Sequence, residues 1–149
     1  MDHIDSEILL LLQKNARISM SEISSYVNLS VSAVSERLKK LEQSNLIEQY
    51  TTLLNPTAFS KSLSVFITLE SSSSMDTVSF GDYIQQERDI TECHRIAGTC
   101  DYLLKVTTND NTALEAIISR IKTFAGIDHL KVNIITSTPK FHPSISPSL

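Results

Sequence analysis

Three hydroxyls and three cations crowd the first twelve residues of one short stretch, "LSVSAVSERLKKLEQSNLI", from Leu29 to Ile47. Ser30, Ser32 and Ser35 come first, and Arg37, Lys39 and Lys40 follow. Short hydroxyls can approach base edges or phosphates closely, and a helix N-terminus favours phosphate. Lysine and arginine one or two turns further on can grip phosphates along a groove wall. Glu36, on the same face, can accept from a cytosine amino group or tune affinity by repulsion. Arg17, upstream, is a candidate phosphate clamp. The plainer chemistry is also available. Ser30 can simply cap a helix, and Arg37 can pair with Glu22, Glu36 or Glu42. Val34, Leu38 and Leu41 fall on one helical face and read as core.

The charge of the whole chain runs the other way. Its 149 residues carry a net −4, with a pI near 5.5. Broad non-specific nucleic-acid binding wants a basic face. A local patch remains possible, because Leu29–Ser44 holds three basic residues against Glu36 and Glu42. Cys93 and Cys100 are too few for a disulfide framework and lack partners at metal-ligand spacing, so no metal or cofactor is expected. No Ser-His-Asp set, phosphate loop or carboxylate pair is visible. No apolar run approaches the roughly 20 residues that cross a bilayer. The start, "MDHIDSEILL", carries acids where a signal peptide carries lysine or arginine. A cytoplasmic, nucleoid-associated protein with no membrane partner is expected.

Elements must position that stretch. Ile4, Ile8, Leu11 and Leu12 repeat at helical spacing, with Asp2 or Asp5 as cap. Ser19 and Glu22 have capping-box spacing and open a short second helix, with Ile23 and Val27 inward, Tyr26 beside them, and Asn28 at its end. Ser30 then caps a third helix, Val31 to about Ser44, with Asn45 at a left-handed position. Only Asn28-Leu29-Ser30 separates helices two and three, which is helix-turn-helix spacing. "LIEQYTTLLN" leans to a β ribbon that Asn55-Pro56 ends.

The second half changes rhythm. Residues 63–70 alternate as a strand. A helix over about Thr77–Arg88 places Phe80, Tyr83 and Ile84 inward. "ECHRIA" and "YLLKVTT" read as strands joined by "GTCD". In "DNTALEAIISRIKTFAG", Leu114, Ile117, Ile118 and Ile121 form the stripe, Thr112 and Glu115 a capping pair, and Gly126 the C-terminal stop. "LKVNIITS" is the last strand. The order βαββαβ is ferredoxin-like. The fold class is therefore α+β. A winged helix-turn-helix over 1–55 and a linker over 56–62 precede a βαββαβ sandwich over 63–138, and a flexible Pro/Ser-rich tail spans 139–149.

At the level of whole motifs, "LSVSAVSERLKKLEQSNLIEQY", "IDSEILLLLQKNARISMSEIS" and "HRIAGTCDYLLKV" together resemble the Lrp/AsnC family of leucine-responsive, or feast/famine, regulators. The likeness runs to about Ser137. Asn28 and Asn45 stand where that family usually has glycine, and Ser24 where it usually has alanine. The resemblance implies a transcriptional regulator that binds double-stranded DNA as a dimer, pairs through its sheets, and often assembles into octamers. It implies an amino-acid effector between dimers, beside Gly98, Thr99, Cys100, Asp101 and Tyr102, with Thr136 and Ser137 as lesser candidates. Gly98 permits close backbone approach, and backbone N–H groups in a turn can hold a carboxylate. Asp101 can balance an α-ammonium or serve as a turn residue.

Three other functions are weighed. A siroheme-decarboxylase-like enzyme would use His94 and Arg95, but adjacent strand residues face opposite sides. A stand-alone amino-acid sensor would leave DNA unshifted at low salt. A DNA-wrapping architectural protein would show little sequence preference.

Overall fold

Asp2 opens the first helix. Its carboxylate accepts from the Asp5 N–H, and Asp5 accepts from the Asp2 N–H, each at 2.9 Å. This reciprocal box starts α1, His3–Lys14. Ser19 and Glu22 repeat the device for α2, Met20–Val27. Ser30 caps α3, Val31–Gln43, by accepting from the Ala33 N–H. Ile8, Ile23, Val27, Val34, Leu38 and Leu41 meet as one buried cluster. Asn28 and Asn45 both take left-handed backbone, φ 53° and 55°. Asn reaches that region more readily than other non-glycine residues.

Tyr26 departs from expectation, with 69% of its surface exposed. Ile23 and Val27, four apart, define the buried line, and Tyr26 lies roughly 100° round from Val27. The expected ribbon after α3 is also missing among the described residues. From Ser44 to Asn55 the chain turns and then runs without strand pairing. The ten residues carry no tight-turn signal to set a hairpin register, and an isolated two-stranded ribbon is marginal. Ile47 packs against the helical core, and Tyr50 Oη donates to Glu42 at 2.9 Å. Burial first, and then Glu42, push the Tyr50 hydroxyl up to about 12, so it stays a donor.

The computed structural model describes residues 1–147 and holds two compact units. One is Met1–Leu53 together with the chain from Lys140. In it, Gln13 Nε2 donates to Ser144 Oγ at 2.9 Å and to the Ile145 carbonyl at 2.5 Å. The stretch read as a fraying tail is therefore docked on α1, while its last two residues, 148 and 149, lie outside the described residues.

The other unit is Leu54–Pro139. A 3-10 turn at Pro56–Phe59 leads into β1, Leu63–Ser71. Then come α4 (Thr77–Gln86), β2 (Ile90–Arg95), β3 (Tyr102–Thr108), α5 (Asn111–Ile121) and β4 (Ile127–Ile134). The sheet is antiparallel in the order β2-β3-β1-β4. Val65, Ile67 and Leu69 of β1 and Leu104 and Val106 of β3 share a buried face against Phe80, Leu114, Ile117 and Ile121. Phe80 meets Tyr102 and Phe124 edge-on, with centroids 5.3 and 5.5 Å away. The opposite face carries Phe66, Thr68 and Glu70, paired in register with Asn133, Lys131 and His129 of β4.

Several expected boundaries shift. Helix α4 stops at Gln86 rather than Arg88, and β2 starts at Ile90 rather than Glu92. Strand β4 spans Ile127–Ile134, so Thr136 and Ser137 lie beyond it. Asp110, not Thr112, caps α5, accepting from the Ala113 N–H at 2.9 Å. Aspartate is the stronger N-cap, and it takes the role two residues earlier. Gly126 does not stop α5, which ends at Ile121 with Lys122 as its cap. It turns the chain into β4 at φ 83°, where a Cβ would meet Met75 N at 2.6 Å.

Candidate nucleic-acid interface and effector site

The turn between α2 and α3 is locked by one residue. The Ser24 carbonyl accepts from the N–H groups of Asn28 and Leu29, and its hydroxyl donates to the Leu29 carbonyl at 2.5 Å. Alanine could not make that last bond, so the departure at Ser24 has a structural use that the sequence reading missed. With the turn held, α3 buries Val34, Leu38 and Leu41 and presents Ser32, Ser35, Glu36, Lys39 and Lys40 to solvent. Ser30 Oγ, already accepting from Ala33, lies 3.0 Å from Ser32 Oγ.

The cations on α3 have different fates. Lys40 Nζ is 2.9 Å from Glu36 one turn earlier, and that hydrogen bond holds the Glu36 carboxyl below its usual range. Arg37 Nη1 lies 2.7 Å from both Asp2 and Asp5 at the start of α1. Its bond to Asp2 first, and then to Asp5, raises the guanidinium above its ordinary value. None of Glu22, Glu36 or Glu42 is its partner. Arg37 lies about 140° around the helix from Ser32, beside the core stripe and facing α1. It is a tie between helices. Lys39 forms no ion pair among the described residues, and neither does the exposed side chain of Arg17.

In the other unit, the connection from β2 to β3 folds around Asp101. Its N–H donates to the Leu69 carbonyl at 2.8 Å, and its carbonyl accepts from the Ile96 N–H at 2.9 Å. Its carboxylate accepts from Ser71, from the N–H at 2.6 Å and from Oγ at 3.1 Å. Asp101 thus pins the loop to the end of β1, and its charge is committed there. Tyr102 turns into the core against Phe80. A Cβ on Gly98 would meet nothing within 4 Å, so no close approach requires glycine there. Gly98 and Thr99 are exposed and Cys100 is half-buried.

Thr99 and Cys100 instead border a cavity of about 340 Å³, completed by Thr68, Glu70, His129, Lys131 and Asn133. Thr136 and Ser137 do not line it. Sequence reasoning missed the five β1 and β4 residues Thr68, Glu70, His129, Lys131 and Asn133. The alternation His129, Lys131, Asn133 was readable, but the last strand was started three residues late. Glu70 and Lys131 form no ion pair among the described residues. His94 and Arg95 are both exposed on β2, and His94 Nε2 is 3.4 Å from Glu92. Among the described residues, no helix is long and apolar enough to cross a membrane.

A capped helix-turn-helix with a hydroxyl and lysine face, joined to a βαββαβ unit with a polar cavity, defines a DNA-binding transcriptional regulator with a ligand-binding domain. Comparison with known proteins agrees. The family model "Lrp/AsnC ligand binding domain" matches residues 62–145, and "Winged helix-turn-helix DNA-binding" matches residues 1–48. The leucine-responsive regulatory protein of Escherichia coli strain K12 is 38% identical over 120 residues, 79% of this chain and 73% of that protein. The transcriptional regulator NMB0573 of Neisseria meningitidis, solved with L-Met, superposes with TM-score 0.91 at 27% identity, covering 97% of this chain and 96% of that one. LrpC of Bacillus subtilis superposes with TM-score 0.86 at 30% identity, covering 94% and 97%. The chain belongs to the Lrp/AsnC family.

Proposed function

We propose that α3 enters the major groove of operator DNA and that an α-amino acid, bound at the cavity beside Thr99 and Cys100, modulates that binding. The observation that carries the first part is the exposed Ser32, Ser35 and Lys39 face behind a locked turn. Ser30, Ser32 and Ser35 contact bases and nearby backbone, with Ser30 also capping. Lys39 contacts a phosphate, Arg17 another, and Lys40 a weaker one because Glu36 shares its charge. Arg37 holds α3 against α1.

The second part rests on charge pairing. A zwitterion needs an anion for its ammonium and a cation or N–H groups for its carboxylate. Glu70 supplies the first in place of the committed Asp101, and Lys131 the second. One relative is named as leucine-responsive and another was solved in complex with L-Met, and both amino acids have that chemistry. The protein works as a homodimer, or as an octamer of such dimers. It acts in the cytoplasm, on the nucleoid, as a regulator and not as an enzyme.

Footprinting of the purified protein on its genome, with and without each of the twenty amino acids, tests both parts. Discrete protected sites are expected, and one or a few amino acids shift their occupancy. Calorimetry then compares wild type with Lys131→Ala, and the binding heat should vanish. Uniform coverage without sites would overturn specific reading. No response to any amino acid would overturn the effector assignment.

A further inference from the structure

Val31 is the first residue of α3 and is 47% exposed. It lies outside the buried cluster formed by Val34, Leu38 and Leu41. A β-branched residue at a half-exposed helical position lowers helix propensity and, outside the buried cluster, gains less packing in return than a core residue does. Its place gives it a use beyond folding. The N-terminal residues of a recognition helix are those that reach base edges. Val31 and Ser35 are one turn apart and share a face. Ser32 stands next to Val31 on that exposed side, so one apolar side chain sits among hydroxyls. The major groove offers one apolar feature, the C5-methyl of thymine.

We propose that Val31 is a specificity-determining contact whose methyl groups pack on a thymine C5-methyl, while Ser32 and Ser35 bond neighbouring polar edges. This rests on α3 being the reading helix. The contact favours T over C at one position of each half-site, because both offer similar stacking but only T carries the methyl in the groove. It does not depend on charge and adds nothing to the salt dependence.

The test starts from a high-affinity duplex selected from random sequence by the full-length wild-type protein. Each thymine is replaced singly by deoxyuridine, which keeps every hydrogen-bonding group and lacks only the methyl. Wild type should lose about fourfold in affinity at one position per half-site, equal to the ~0.8 kcal/mol of one methyl-sized apolar group. Val31→Ala should be insensitive to that same replacement, and Val31→Thr, which keeps one methyl, should lie between. Circular dichroism should show all three equally helical.

No sensitive thymine in wild type would overturn the proposal, as would equal sensitivity in Val31→Ala. Failure of the underlying reading looks different. In that case Ser35→Ala and Lys39→Ala would leave both affinity and selected sequence unchanged.

Discussion

Lys39→Ala gives the sharpest test of how α3 meets DNA. Of the three cations on α3, Arg37 is tied to Asp2 and Asp5, and Lys40 to Glu36, while Lys39 alone forms no ion pair among the described residues. Each phosphate neutralised by a released cation contributes about 0.9 to the slope of log affinity against log salt. Removing Lys39 should flatten that slope by about 0.9 per protomer, or about 1.8 for a two-fold dimer on two half-sites. Between 50 and 200 mM salt, a fourfold change, the deficit of the variant should shrink by about 3.5-fold per protomer and about 12-fold per dimer. Selected and random duplexes should be weakened alike, because a phosphate contact carries no sequence information. Arg37→Ala should leave the slope nearly unchanged and instead loosen the contact of α1 with α3, seen as a lower melting temperature. Fluorescence anisotropy at four or five salt concentrations measures all of this. If Arg37→Ala flattened the slope as much as Lys39→Ala while melting like wild type, the division of labour on α3 would be wrong.

Other consequences concern the effector unit and the helical core. Thr108 is fully buried, and its hydroxyl donates to Asp89 at 2.5 Å, while Lys61 Nζ binds the other carboxylate oxygen. Thr108→Val keeps the shape and removes a charge-assisted donor, which should cost about 1.5 kcal/mol in chemical denaturation. Burial pushes the Asp89 carboxyl up, but the bonds from Lys61 and Thr108 outweigh it and hold it below its ordinary value. Its stabilisation is therefore full above the unfolded carboxylate range, near about 4, and is lost as pH falls through the lower folded value. The Thr108→Val penalty should accordingly shrink in acid, and a penalty constant down to pH 2 would count against the pairing. Gly126→Ala should destabilise by about 2 kcal/mol or more, since left-handed backbone and a 2.6 Å approach to Met75 N both oppose a Cβ. A melting temperature equal to wild type would refute that. Ser6 is buried in α1, and its hydroxyl has no partner among the described residues. Ser6→Ala should raise stability by about 1 kcal/mol, and a loss would mean the hydroxyl is satisfied.

Much of the fold was legible because it rests on local rules. The stripes Val34, Leu38, Leu41 and Leu114, Ile117, Ile121 are helical periodicity, and both sets are buried. Ser19 with Glu22, and Asn at positions 28 and 45, are cap chemistry that acts within one turn. What failed was non-local or competitive. Asp110 outranks Thr112 as a cap only because it stands where the chain enters the helix. The start of β4 is set by pairing with β1, so a reading from hydrophobic alternation began it at Leu130 and hid His129. Arg37 shows the same limit. Its neighbours in sequence are glutamates, but its partners lie more than thirty residues upstream on α1.

That displacement of Arg37 bears on how the protein discriminates among DNA sequences. Non-specific affinity grows with the number of phosphates a surface can neutralise. Here two of the three α3 cations are held by carboxylates, in a chain whose net charge is −4. On the proposed reading face, one lysine without an ion pair among the described residues stands beside a set of hydroxyls. Such a face gains little on arbitrary sequence, so most of its affinity must come from contacts that depend on the bases. The ratio of specific to non-specific binding should then be high even though the absolute affinity of one protomer is modest. Wrapping DNA without sequence preference needs many phosphate contacts, and this surface offers few. A second protomer on a neighbouring half-site raises affinity without adding non-specific charge, which makes pairing of reading units the economical route to tight operator binding.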